Sequence, residues 1–255
     1  MTGLLIVEPM PFTVAASRGT GAANLASADP KEVWADAQAG SAATLTIDLG
    51  EVRTIDTVLL GYVRAPAIDA RWTITGGVTG AGERSIQADD ILRVPDAAGS
   101  FRQRTHALWT GAAVAVRYLA LTIYQPAGSP PLTAGVLVIG KAWTSIMGRE
   151  WGPGRQPIDG GSVTALSSGG FAVVEGARKS ALSWTFGDLS VEEAGLLEGI
   201  ADRLGVSRPG LVIEDAARTA GLASRIHYGV FGRWKPPERR NRTQTRWDIA
   251  IEQWT

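Results

Sequence analysis

Thr44 to Val63 reads TLTIDLGEVRTIDTVLLGYV, and it narrows the choice of fold more than any other stretch. Leu45, Ile47 and Leu49 alternate with Thr46, Asp48 and Gly50, and after a polar link Ile55, Val58, Leu59 and Leu60 form an apolar run. Period-two alternation in a stretch rich in β-branched residues is the pattern of a strand with one buried face. Two strands joined through EVRT are expected to make a compact unit of a β-sandwich. The chain before Thr44 would lead into it and the chain up to about Trp143 would complete it.

Later segments extend the pattern. Trp72 and Ile74 share a face of a strand at Arg71–Thr75, and residues 85–94 alternate weakly. Phe101–Trp109 and Val114–Tyr124 read as further strands. In the second, Val114, Val116, Tyr118, Ala120, Thr122 and Tyr124 fall on one face. Val136–Ile139 reads as a buried closing strand. With 31 Gly and 13 Pro in 255 residues, many turns and few long helices are expected. The fold class is therefore all-β.

Composition excludes several functions. Lys plus Arg equals Asp plus Glu at 25 each, so bulk attraction to nucleic acid is not indicated, and no specific nucleic-acid binding is expected. Cysteine is absent, which removes disulfides and thiol chemistry, and two histidines cannot build a multi-histidine metal site. The apolar run Leu4–Val7 is too short for a signal-peptide core, and Ala134–Ile139 is too short to span a bilayer. No membrane insertion is expected.

The pattern IDLG…I..V.L, together with the late pair RYLALTIY and VLVIGKAW, resembles discoidin-type, galactose-binding-like jelly rolls over about residues 13–143. The resemblance implies a jelly-roll sandwich whose loops at one end bind ligand. The polar residues on those loop edges are Arg64, Asp69 and Arg71, then Arg102, Arg104 and His106. It also places Asn24 and Asp29 where the family often holds a structural cation, which would be Ca2+; no other cofactor is expected. The plainer reading is that Asp29 caps a turn before Pro30 and that Trp34 fills the core.

Gly148–Gly161 (GREWGPGRQPIDGG) has no periodicity and reads as a linker, dividing the chain into domains 1–145 and 146–255. The second domain is expected to be smaller, a β-domain with one helix. Phe171–Glu175 and Ala181–Phe186 read as strands. Ser190 and Glu193 form a capping box opening a helix to Leu204, with Val191, Ala194, Leu197, Ile200, Ala201 and Leu204 at helical spacing. Gly195 and Gly199 suggest close approach of that helix to a sheet. Leu211–Glu214 is a short strand. Ile226, Tyr228 and Val230 are expected inward on one strand, and Trp247, Ile249 and Ile251 on another.

Trp184–Phe186, Leu189–Ala194, Gly205–Val212, His227–Gly229 and Trp247–Trp254 together resemble small domains of tailed-bacteriophage tail proteins. Such domains form rings at the distal end of the tail tube. The resemblance implies copies of itself, tail tube, hub and tape-measure-type proteins as partners, with a cell-surface glycan as a further one. It also implies a place in the virion tail after synthesis in the host cytoplasm. The segment 233–246 carries six basic residues against Glu238: Arg233, Lys235, Arg239, Arg240, Arg242 and Arg246. It reads as a solvated hairpin tip or as a clamp on carboxylates of a neighbouring subunit, for which the arginines are suited.

Neither His106 nor His227 lies near a G-x-S-x-G elbow, and the paired carboxylates sit at turns and helix starts, so no enzymatic activity is expected. The sequence thus reads as a structural component of a phage-like tail tip or baseplate with an outward sandwich domain. The alternative is a free carbohydrate-binding module.

Overall fold

The computed structural model describes residues 3–97, 104–232 and 234–254. Its elements are strands with a single α-helix among the described residues, and none of its helices is long and apolar enough to cross a membrane. The chain forms two compact units. The first takes the chain up to Trp143 and also Leu211–Ile226; the second takes Thr144–Gly210 and the chain from His227 onward. The segment Leu211–Ile226, read from sequence as part of the later half, thus clusters with the first.

The first unit opens with β1 (Leu4–Val7), β2 (Thr13–Ala16) and β3 (Trp34–Ala35). Then come β4 (Ala42–Arg64), β5 (Arg71–Gly77), β6 (Arg84–Ile91) and β7 (Arg104–Tyr124). β8 (Thr133–Ala134), β9 (Val136–Gly140) and β10 (Ala142–Trp143) complete the run. The two strands expected on either side of EVRT are one continuous strand, β4. Its bend falls at Gly50, whose φ of 77° only glycine adopts at little cost, and where the register against β7 shifts between Asp48 and Arg53. Likewise the strands expected at 101–109 and 114–124 are one strand from Arg104, with 101–103 outside the described residues.

β4 and β7 are each long enough to serve twice. Residues 42–48 and 118–124 pair with each other and carry β2 and β5 on their flanks; residues 53–64 and 104–116 pair again, with β9 beside them. Leu45, Ile47, Val58, Leu60, Leu121, Ile123, Leu137 and Ile139 meet in one core, so the two halves close over each other as a sandwich. Trp34 and Trp72 lie fully inside it. Burying a side chain of this kind contributes roughly 1.5–3 kcal/mol. On β7 the buried face is Leu119, Leu121 and Ile123; Tyr118, Ala120, Thr122 and Tyr124 lie on the outer, less buried face. A second pairing binds β1 between β10 and the later strand β15 (Pro209–Glu214, introduced in full below), with Leu4 opposite Glu214 and Ile6 opposite Val212.

The second unit holds β11 (Gly154–Asp159), β12 (Ser162–Ala165), β13 (Phe171–Val174), β14 (Arg178–Ser190) and α1 (Val191–Leu204). β15 follows the helix, and then come β16 (Ile226–Phe231), β17 (Glu238–Arg239) and β18 (Gln244–Gln253). β18 pairs with β16, β17 and β14, and β14 with β11. The segment expected to be a linker therefore contains an edge strand. Pro157 sits in β11, as an edge allows, because a proline there forfeits no interior ladder bond.

α1 begins as expected. Ser190 Oγ accepts from Glu193 N at 3.1 Å, and Glu193 accepts from Ser190 N at 2.8 Å. Leu197, Ile200, Ala201 and Leu204 are buried, but Val191 is exposed and Glu193 takes its place inside. Burial of that carboxylate is offset by a further donor, Ile146 N at 2.6 Å. Backbone and Ser190 donors outweigh desolvation and hold its pKa below the usual range. Gly195 does not mark a close approach: a Cβ there would touch nothing, and at Gly199 it would meet only the Arg203 side chain. On β16 the inward residues are Ile226, Tyr228 and Phe231, with Val230 less buried than expected; Trp247, Ile249 and Ile251 point inward on β18.

Candidate ligand site at one end of the sandwich

Between Leu60 and Val63 the β4–β7 register slips: Gly61 and Tyr62 together oppose His106. This is a β-bulge, which bends a strand and re-aims a side chain. Tyr62 has a φ of 54° and Ala65 one of 59°, both in the left-handed region where non-glycine residues are strained by a kcal/mol or so each, roughly. Tyr62 N donates to His106 Nδ1 at 3.3 Å, which places the ring proton on Nε2. The two rings meet edge to face with centroids 5.5 Å apart.

The bulge opens on a cavity of about 610 Å3. Tyr62, Arg64 and Ala65 form one wall, the segment Pro30, Lys31 and Val33 another, and Pro130, Pro131 and Thr133 the third. Tyr62 is half-buried, while Lys31 and Arg64 are exposed.

Two devices fix the walls. Gln125, fully buried, donates through Nε2 to Ala65 O and to Pro130 O, each at 2.9 Å, and accepts from Ala67 N at 3.1 Å. One amide thus ties the first wall to the third. Gly135 lets the Pro30 segment approach: a Cβ there would lie 2.1 Å from Pro30 O. Neither residue carried a signal in the sequence.

The residues expected to bind ligand separate in the structure. Arg64 lines the cavity and His106 stands behind Tyr62. Arg104 begins β7 opposite Arg64 in register. Asp69 is on the exposed loop before β5, and Arg71 pairs with Asp89 at 2.6 Å on the β5–β6 side; neither lines the cavity. Arg102 lies outside the described residues.

Asn24 and Asp29 are engaged in their own loop. Asn24 Nδ2 donates to Val33 O at 3.0 Å, and Asp29 Oδ1 accepts from Lys31 N at 3.0 Å, a turn of the kind expected before a buried Trp34. No group of three or more His, Asp or Glu side chains among the described residues is placed to hold a metal ion.

In the basic segment, Arg240 lies 3.7 Å from Glu150 and 3.8 Å from Asp188. Lys235 reaches Asp248 at 3.1 Å, and Arg246 reaches it at 3.9 Å. Arg239 and Arg242 are exposed, and Arg233 lies outside the described residues. The charge is thus partly compensated within the chain.

No protein-family model and no curated protein matches the chain. Several solved structures do, over about half of it. A family 32 carbohydrate-binding module from a family 31 glycoside hydrolase of Clostridium perfringens is 14% identical over 53% of this chain and 94% of its own, with a TM-score of 0.42. The chitosan-binding module 1 of a chitosanase/glucanase from Paenibacillus sp. IK-5 is 16% identical over 51% and 96%, with a TM-score of 0.39. The family 32 module of Clostridium perfringens NanJ, solved with galactose, is 13% identical over 53% and 98%, with a TM-score of 0.38. These three are carbohydrate-binding modules, and a GH29 fucosidase of Ruminococcus gnavus is also among the similar structures, at 16% identity over 52% of this chain and 25% of its own, with a TM-score of 0.35.

Proposed function

We propose that this protein is non-catalytic and binds carbohydrate at the cavity beside Tyr62. One observation carries the reading: the bulge sets an aromatic residue, Tyr62, in the lining of a cavity that also carries Lys31 and Arg64. A sugar ring needs an apolar platform for its C–H face and a few fixed polar groups for its hydroxyls, and a concave site supplies both. Tyr62 provides the platform, Lys31, Arg64 and Thr133 the polar groups, and Gln125 the rigidity. The test is titration of the full chain with a panel of saccharides, galactose and chitosan oligomers among them, beside Tyr62→Ala. Binding that Tyr62→Ala abolishes supports the reading. Absence of binding across the panel would remove it.

A second reading has its own observation. The hairpin of β12 and β13 pairs Val163 with Val173 and Ala165 with Phe171, which puts these four side chains on one face. All are exposed. Apolar surface of this kind marks protein contacts. It favours the chain as a subunit of a phage-like tail tip or baseplate, in a ring of its own copies, with the sandwich as its glycan-binding part. Genes for tail proteins adjoining its own would support this, and a sugar-utilisation operon would favour the free module.

A further inference from the structure

We propose that the saccharide bound beside Tyr62 is acidic, carrying carboxylate or sulfate groups; this rests on the reading of the cavity as a carbohydrate site. Among the described residues the walls present Lys31 and Arg64 and no carboxylate. Among the described residues neither cation takes part in an ion pair. Many surface cations hold an acidic side chain, as Arg18, Arg71 and Arg117 do, and others such as Arg239 and Arg242 are simply exposed; what points to a ligand is that Lys31 and Arg64 share one concave surface.

The acids nearest these cations in the chain do not line the cavity; Glu32, next to Lys31, is exposed and outside it. Asp29 accepts from the Lys31 backbone, not from its ammonium, and Asp69 stands on the exposed loop outside the cavity lining. Two uncompensated cations flanking a concave, partly apolar surface focus positive potential there and raise the local concentration of anions. An Arg guanidinium accepts a carboxylate or sulfate through two parallel hydrogen bonds, while Lys serves as a point charge. A neutral sugar would leave both charges unanswered. A polycationic sugar such as chitosan would be repelled by them.

The backbone of the site supports a fixed anion subsite. Arg64 directly follows Val63, which resumes the ladder after the bulge, and is paired in register with Thr133 of β8. Its stem therefore leaves a position braced on both sides, and Ala65 beyond it is tied by Gln125. Lys31 leaves a turn that Asp29 closes.

Calorimetry on the full chain tests this with oligogalacturonate, a sulfated galactan, neutral galactan oligomers and chitosan oligomers. The acidic chains are expected to bind about tenfold or more tighter than the neutral one, the scale of one charge-assisted hydrogen bond. They should lose affinity on raising salt from about 50 to about 300 mM, which shortens the screening length. Lys31→Gln and Arg64→Gln should each remove most of that preference, weakening the acidic chains several-fold more than the neutral one, with the melting temperature unchanged. Both side chains are exposed. Tyr62→Ala should abolish all binding. Equal affinity for neutral and acidic chains, unmoved by Lys31→Gln and Arg64→Gln, would overturn the acidic ligand and leave the carbohydrate site standing. Binding of nothing in the panel would overturn both.

Discussion

The Tyr62 amide donates to His106 Nδ1 at 3.3 Å, and the two rings meet edge to face at 5.5 Å. The pair holds a strained bulge in one geometry, since the acceptor is on the strand opposite. His106→Ala removes both contacts. It is expected to weaken saccharide binding roughly tenfold by releasing Tyr62, the equivalent of about one hydrogen bond, with a stability cost of about 1–2 kcal/mol. His106→Asn, which keeps an acceptor near the same place, should recover part of the affinity. Unchanged affinity in the alanine variant would mean the bulge holds Tyr62 without the imidazole.

Gln125 is the second support. Gln125→Leu keeps the volume and deserts Ala65 O, Pro130 O and Ala67 N together. A deserted group costs about 1–3 kcal/mol where water cannot reach it, and these three belong to half-buried or exposed residues that water reaches in part. Chemical denaturation should register a loss of about 1–3 kcal/mol, and the folded protein should bind saccharide poorly. A variant as stable as the parent would show that water replaces the amide.

Glu83 gives a pH prediction. Its carboxylate accepts from the Thr79 hydroxyl and from the backbone N–H groups of Val78, Thr79 and Gly80, in the loop between β5 and β6. The Thr79 hydroxyl has the largest effect, and together these donors pull the pKa from 4.5 to about 2. A depressed carboxylate pKa means the folded state prefers the ionised form. Its contribution is complete above about pH 4.5 and fades as pH falls toward about 2. Glu83→Gln should therefore flatten the acid limb of stability in that window, read by melting temperature, and should leave the curve near neutrality parallel to that of the parent. The same acid slope in both proteins would show the loop to be open in solution.

Legibility in the sequence followed the range of the interaction. The alternation of Leu45, Ile47 and Leu49 declared its buried face because a strand writes its environment into consecutive residues. The capping box of Ser190 and Glu193 was equally local. β11 was hidden because an exposed edge strand has no apolar period, and its Gly and Pro imitate a linker. Tyr62 and Gln125 were missed for a different reason. A bulge adds one residue without changing composition, and the partners of Gln125 at Ala65 and Ala67 lie about sixty positions away. Of the candidates read from sequence, Arg64 lines the cavity and His106 backs Tyr62, whereas Asp69 and Arg71 lie outside the lining, Arg71 in an ion pair with Asp89 that no local pattern announces.

The pairing of β1 with β15 predicts how a truncated chain behaves. A piece ending at residue 145 keeps the sandwich core but loses the partners of Leu4, Leu5, Ile6 and Val7 at Leu211–Glu214. It is expected to fold, with β1 amides exchanging much faster than in the full chain and a lower melting temperature. Equal protection of residues 4–7 in both would mean that β10 alone secures the strand.

The hairpin of β12 and β13 carries the last prediction. A two-stranded hairpin is marginal by itself in water, and this one shows an apolar face to solvent: Val163 is 66% exposed, Phe171 69% and Val173 64%. The opposite face sets Ser162 and Thr164 beside Ala172 and Val174, and Val174 is exposed as well. Such a hairpin gains stability once its more apolar face is covered, and an identical subunit offers the same face for that purpose. Trp151, wholly exposed, with Ile146 and Met147 nearby in sequence, extends the apolar surface of the unit. Replacing Val163, Phe171 and Val173 together with serine should leave the chain folded, because none is in a core. Light scattering should then give a monomer where the parent forms a larger assembly. Glutamate at Arg239 and Arg242, the exposed arginines, tests whether charge assists that contact, and should weaken it in a salt-dependent way. A parent chain that stays monomeric at all concentrations, alone and with tail proteins encoded beside it, would remove the tail-ring reading and leave a carbohydrate-binding module with an unusual arm.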